Sequence, residues 1–161
     1  MLQELGAIGS FIGGVGVAIS VVYLALQIKQ NTTSNRSQSY QAAISSISDW
    51  SRQVGLDPDA TRIVRRGVVD PSTLDENERA QYRYLLVSLF RNFENIHHQF
   101  ENGTISQETW TGWSNRIILF LSQPGAEAWW NGNKDSYSPR FCEFIASERS
   151  RSPLLNEAPD A

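Results

Sequence analysis

The residues best placed to do chemistry are Glu94, His97 and His98, in the run Glu94-Asn-Ile-His97-His98-Gln-Phe-Glu101. Glu94-x-x-His97 has the i, i+3 spacing with which helix bundles present a carboxylate and an imidazole to a di-iron centre. That centre needs a second Glu-x-x-His, and the chain holds only 2 histidines. A symmetric dinuclear site is therefore excluded within one subunit. A mononuclear metal site, or a small-ligand site on the same row, is what these residues could still form. The plainer assignment sets His97 against the core and leaves Glu94, His98 and Glu101 on a wetter face, with Glu94 paired to Arg91 or His98. Tyr84, Ser88, Arg91, Asn95 and His98 form a polar row that could line a ligand cleft, meet a partner or stand in solvent. No cofactor is expected.

Other chemistries are harder to place. The lone Cys142 rules out a disulfide framework or a multi-cysteine metal site within one chain, and its Phe-Cys-Glu-Phe context reads as packing. No G-x-S-x-G nucleophile turn and no glycine-rich phosphate loop with a following lysine are present. With 14 basic against 17 acidic residues, the net charge of -3 argues against nucleic acid as a partner. Arg62, Arg65 and Arg66 form a small basic cluster that could touch anionic headgroups or pair with Asp57, Asp59 and Asp70. Trp129 and Trp130 sit about 100° apart on a helix. One is expected to pack inward, and the other could face a membrane interface or a partner protein or simply stand exposed.

The elements that must position these groups fit one modest domain of 161 residues. A mean hydropathy of -0.35 averages two unlike parts. From Leu5 to Ile28 there is no charge, and the stretch covers about 36 Å as a helix, enough for a hydrocarbon core of about 30 Å. A transmembrane anchor over residues 1–28 is the expectation. Lys29 and the arginines beyond it put the short N-terminus outside and the C-terminal part in the cytoplasm. Gly6, Gly9, Ser10, Gly13 and Gly14 supply small side chains for close helix packing, including a Gly-x-x-x-Gly pair. Other membrane subunits, the lipid bilayer or a second copy are the partners such a face would meet.

Residues 29–39 are polar, either a linker or a helical continuation. Residues 40–152 read as a helical domain. Its first helix carries Tyr40, Ile44, Ile47 and Val54, and a short one follows from Asp57 or Asp59 to Gly67. A long helix runs from Asp75 to about Asn102 with a stripe of Tyr82, Leu85, Leu86, Leu89, Phe93, Ile96 and Phe100, closed by Gly103. Ser106 opens another, with Trp110, Trp113, Ile117, Phe120 and Leu121 on one face, and Pro124-Gly125 breaks it. Asn131–Ser138 reads as loop, Pro139 begins the last helix, and 153–161 reads as a frayed tail. The predicted class is all-α: one N-terminal transmembrane helix followed by a small cytoplasmic helical bundle.

Three segments carry a resemblance: Tyr23-Leu-Ala-Leu-Gln-Ile-Lys-Gln-Asn31, Leu89-Phe-Arg-Asn-Phe-Glu-Asn95, and Pro124-Gly-x-x-x-Trp129-Trp130 followed by Ser138-Pro139-x-Phe141. The layout resembles a group of small, uncharacterised bacterial single-span membrane-anchored helical proteins. The resemblance implies a bacterial inner-membrane setting and brings no activity or catalytic residues. The function expected is a non-enzymatic accessory or scaffolding subunit of a larger membrane complex, packing through its glycine-rich segment. A membrane-tethered metal or small-ligand protein using Glu94, His97 and His98, or a self-associating membrane sensor, are the alternatives.

Overall fold

The computed structural model describes residues 2–151, with side chains from Gly14 onward except those of Val15, Ala18 and Arg36. The predicted tail 153–161 lies outside the described residues, as do the side chains of Ser10 and the packing environments of Gly6, Gly9 and Gly13. Among the described residues there are six α-helices and no strand. They are α1 (Leu2–Leu56), α2 (Pro58–Val69), α3 (Glu76–Glu101), α4 (Gln107–Leu121), α5 (Pro124–Asn133) and α6 (Pro139–Arg151). The chain divides into two compact units, Met1–Gln38 and Ser39–Ala161.

The membrane-spanning helix expected over Leu5–Ile28 requires correction. Among the described residues no helix is long and apolar enough to cross a membrane. Nor is there a separate span followed by a linker. Between Gly16 and Gly55 the sequence has neither glycine nor proline, so nothing interrupts the i→i−4 ladder of α1. The polar residues 29–39 continue the helix and turn their hydroxyls back on it. Thr32 Oγ1 donates to the Ile28 carbonyl at 2.8 Å and Thr33 Oγ1 to that of Lys29 at 3.0 Å.

Boundaries in the second unit have local causes. α1 stops at Leu56 because Asp57 precedes a proline, which disfavours helical backbone. The Asp57 carboxylate then accepts the N–H groups of Asp59 and Ala60 and starts α2. α3 opens with a capping box. Asp75 accepts Glu78 N–H at 2.9 Å, while Glu78 accepts Asp75 N–H at 3.1 Å. It closes at Gly103, whose φ of 68° is the left-handed conformation that glycine takes without a Cβ penalty.

The core gathers around α3. Leu86, Phe90 and Ile96 are fully buried against Ile117 and Leu121 of α4, Trp130 of α5, Phe141 and Ile145 of α6, and Ala43 and Ile47 of α1. The predicted stop at Gly67 is a contact instead: α2 runs on to Val69, and a Cβ at Gly67 would lie 2.6 Å from the Tyr82 ring. Gly125 sits against the carbonyls of Gly67 and Val68, so α2 and α5 meet backbone to backbone. The predicted loop 131–138 is shorter than expected, since α5 continues to Asn133 and a 3-10 turn covers Lys134–Ser136.

Candidate functional site

The Glu94, His97, His98 constellation lies on α3, and the fold sends its members in three directions. Glu94 is half-buried, and its two oxygens are held by Arg91 Nη1 at 2.7 Å and by the Ser138 N–H at 2.7 Å. Ser138 is the residue before α6, so Glu94 supplies from another helix the acceptor that this helix start needs. Burial pushes the carboxyl's pKa up, but the Ser138 and Arg91 hydrogen bonds outweigh it and hold it below the ordinary value. Arg91 completes the clasp. Its Nη2 donates to the Ser136 carbonyl at 2.9 Å, and its guanidinium lies 4.4 Å from the centre of the Tyr137 ring. Burial pushes the Tyr137 phenol up to about 12.

His97 is buried in an aromatic box. Its ring stacks on Phe144 at 5.1 Å, with Trp110 at 5.3 Å and Phe141 at 5.6 Å. Burial, working against the nearby Glu101 carboxylate, lowers its pKa below the usual 6.5 and favours the neutral ring. His98 is exposed, its Nε2 at 2.9 Å from Asn102 Nδ2, and Asn95 is exposed beside it. Glu101 reaches Arg140 at 3.1 Å. Among the described residues no group of three His, Cys, Asp or Glu is placed to hold a metal ion.

The arginine cluster also separates. Arg62 and Arg66 converge on Glu78, whose side chain is 13% exposed, and Arg62 holds Asp59 at 3.0 Å. Arg66 also donates to the Thr73 carbonyl, while Arg65 points to solvent. Glu78 thus joins the end of α2 to the cap of α3. The Arg62 hydrogen bond, helped by the Asp75 N–H, holds its carboxyl below the ordinary range.

Trp129 and Trp130 share one anchor. Both stack on Phe90, at 5.0 Å and 5.2 Å between ring centres. Trp130 is buried, and Trp129 is half-buried. The Trp129 indole N–H and the Tyr82 hydroxyl are buried without a hydrogen-bond partner among the described residues. Both residues line a cavity of about 470 Å³ bounded by Pro71, the start of α3 and α5. Sequence reading missed this site, because Tyr82 counts as a core stripe position until α5 brings an indole beside it.

In the first unit every described side chain from Gly14 to Gln38 is exposed. Val17, Ile19, Val21, Val22, Tyr23, Leu24, Leu26 and Ile28 stand between 54% and 65% open. Beyond the helix's own backbone and the adjoining residues, nothing described lies within 4 Å of where a Cβ would sit at Gly14 or Gly16, and Ser20 Oγ satisfies itself on the Gly16 carbonyl at 2.8 Å. What the fold defines is thus an all-α protein with a helical bundle and an uncovered apolar helix segment. No family model, curated protein or solved structure matches the chain.

Proposed function

We propose that the protein is a non-enzymatic accessory or scaffolding subunit of a larger complex, joined to a helix of its partner through the segment Gly14–Ile28 of α1. The observation that carries this reading is the exposed apolar surface from Val17 to Ile28, with open backbone at Gly14 and Gly16. An exposed contiguous apolar surface of this kind marks an interaction site in a protein that does not aggregate. Glycine with nothing over it lets a second helix approach closely, and the self-satisfied Ser20 hydroxyl presents no unpaired donor to that helix. The partner is accordingly a protein whose own helix offers small and aliphatic side chains. The bundle supports the reading from the other side, because Glu94, Arg91 and His97 are engaged in holding α3 to α6 and the core.

The test uses a photo-cross-linking amino acid at Tyr23 in the full chain, in the cells that make it, with the exposed Tyr84 as the control position. Gly16, Ser20 and Tyr23 share a helix face by their i, i+4, i+7 spacing. The expected result is one discrete adduct with a different protein at Tyr23, none at Tyr84, and its loss in Gly16→Leu. Adducts only with a second copy, adducts only with lipid, or an adduct indifferent to Gly16→Leu would each overturn the proposal.

A further inference from the structure

We propose that the groove between the last turns of α1, α3 and α4 binds a single-chain alkyl carboxylate, with its hydrocarbon on the apolar walls and its carboxylate on Arg116. The groove lies within the unit Ser39–Ala161 and has a volume of about 540 Å³, inside the range of small-molecule sites. Leu89 and Phe93 of α3, both 3% exposed, contribute core surface to it. α1 contributes Ile47, Trp50 and Val54, and α4 contributes Trp113 and Phe120. Trp50, Trp113 and Phe120 are only half-buried, so the groove presents aromatic surface that core packing leaves uncovered. On α4 the lining residues Thr109, Gly112, Trp113, Arg116 and Phe120 recur at i, i+3, i+4, i+7 and i+11, one stripe about 16 Å long. The groove is therefore elongated. Gly112 keeps it open, since nothing beyond the helix's own backbone and the adjoining residues lies within 4 Å of where its Cβ would sit.

Charge selects the head of the ligand. Arg52, Arg62, Arg91 and Arg149 each hold a carboxylate of this chain. Arg116 is exposed and makes no ion pair or hydrogen bond among the described residues, and none of the residues lining the groove is acidic. Ser51 and Thr109, the other polar side chains there, are neutral. One free guanidinium beside apolar walls complements one negative charge on a hydrocarbon body, and its planar fork matches the two oxygens of a carboxylate. This inference is independent of the partner reading of α1.

Dodecanoate is the probe, titrated below its micelle concentration into the full chain while the tryptophan indole N–H signals are followed by NMR, with Trp113 assigned through Trp113→Phe. All 5 tryptophans lie in the unit Ser39–Ala161, so adsorption to the apolar segment of α1 is silent in this readout. The expected result is a saturable shift at Trp113, a smaller one at Trp50, whose N–H stays on the Leu85 carbonyl, and none at Trp129 or Trp130. Dodecanoate should bind about tenfold more tightly than decanoate, because two further methylenes leave water. Arg116→Gln should weaken binding about five- to tenfold and leave the melting temperature of the ligand-free protein unchanged, because the side chain is exposed and unpaired. Dodecyltrimethylammonium, with the opposite charge, should bind more weakly than dodecanoate. An unmoved Trp113 signal, unsaturable shifts of similar size at all the tryptophans, unaltered affinity in Arg116→Gln, or equal binding of dodecyltrimethylammonium would each overturn the proposal.

Discussion

The Glu94 carboxylate is gripped on both oxygens, by the Arg91 guanidinium and by the N–H of Ser138, and this ties α3 to the start of α6. Glu94→Ala removes the acceptor from a helix start and should cost about 1–2 kcal/mol in denaturant unfolding. Glu94→Gln keeps an acceptor and should lose about half as much, so equal losses for the two would refute the clasp. His97 gives a prediction of different kind. Its folded pKa lies below 6.5 because burial disfavours the cation, so the unfolded chain binds more protons. Its contribution to stability is therefore complete above pH 6.5 and is lost as pH falls from there toward the folded value. His97→Phe should flatten the melting temperature between pH 6.5 and 5 relative to the parent, measured calorimetrically. At this scale the sequence was partly legible. Helical spacing offered Arg91 or His98 as the partner of Glu94 and set His97 beside the core, but nothing local announced Ser138, which arrives from the start of α6. Nor did anything local announce Phe90 as the shared neighbour of Trp129 and Trp130, since the 100° between adjacent rings does not show that one ring on another helix is reached by both.

Among the elements, the crossing of α2 and α5 is the least forgiving. Gly125 lies against the carbonyls of Gly67 and Val68, and Pro71 Cδ closes the other side at 2.9 Å from an added Cβ. Backbone cannot yield as a flexible side chain can, so Gly125→Ala should destabilise by about 2–3 kcal/mol. Gly112→Ala in α4 is the matched opposite, with nothing within 4 Å, and should stabilise by about 0.5–1 kcal/mol through helix propensity alone. Chemical denaturation of the two variants checks the pair, and a mild Gly125→Ala would mean the helices are free to separate. Caps and stripes were readable because they are local: Asp57, Asp75, Ser106 and Pro139 stand at or beside the starts of their helices, and the α3 stripe from Tyr82 to Ile96 is buried. Gly67 and Gly125 were read as breakers because a sequence does not distinguish a glycine that ends a helix from one that lets a second helix in. Phe90, Leu74 and Ile105 were missed as core for a related reason, one lying beside the stripe and two outside any helix.

At the scale of the whole chain, the two units differ in what holds them. The bundle has a core of packed aromatic and aliphatic rings, whereas in α1 every described side chain from Gly14 to Gln38 is exposed. Residues 14–38 are rich in Val, Ile, Thr, Ser and Asn, none of them a strong helix former, and isolated helices of such composition are marginal in water. The charge-free run was legible at once, but its meaning was not, because a sequence shows that a surface is apolar and leaves open what covers it. If the cover is a partner helix, helical order from Val17 to Gln38 depends on that partner. Hydrogen exchange on the dilute, isolated chain should then show amides from Val17 to Gln38 exchanging within about an order of magnitude of the unstructured rate. Amides around Leu86 and Ile96 should be protected to the level of global unfolding. Adding the cross-linked partner should slow exchange selectively between Val17 and Ile28 and leave the bundle unchanged. Strong protection of Val17–Ile28 in the dilute isolated chain would show that the segment is already covered, and the helix would then need no partner to exist.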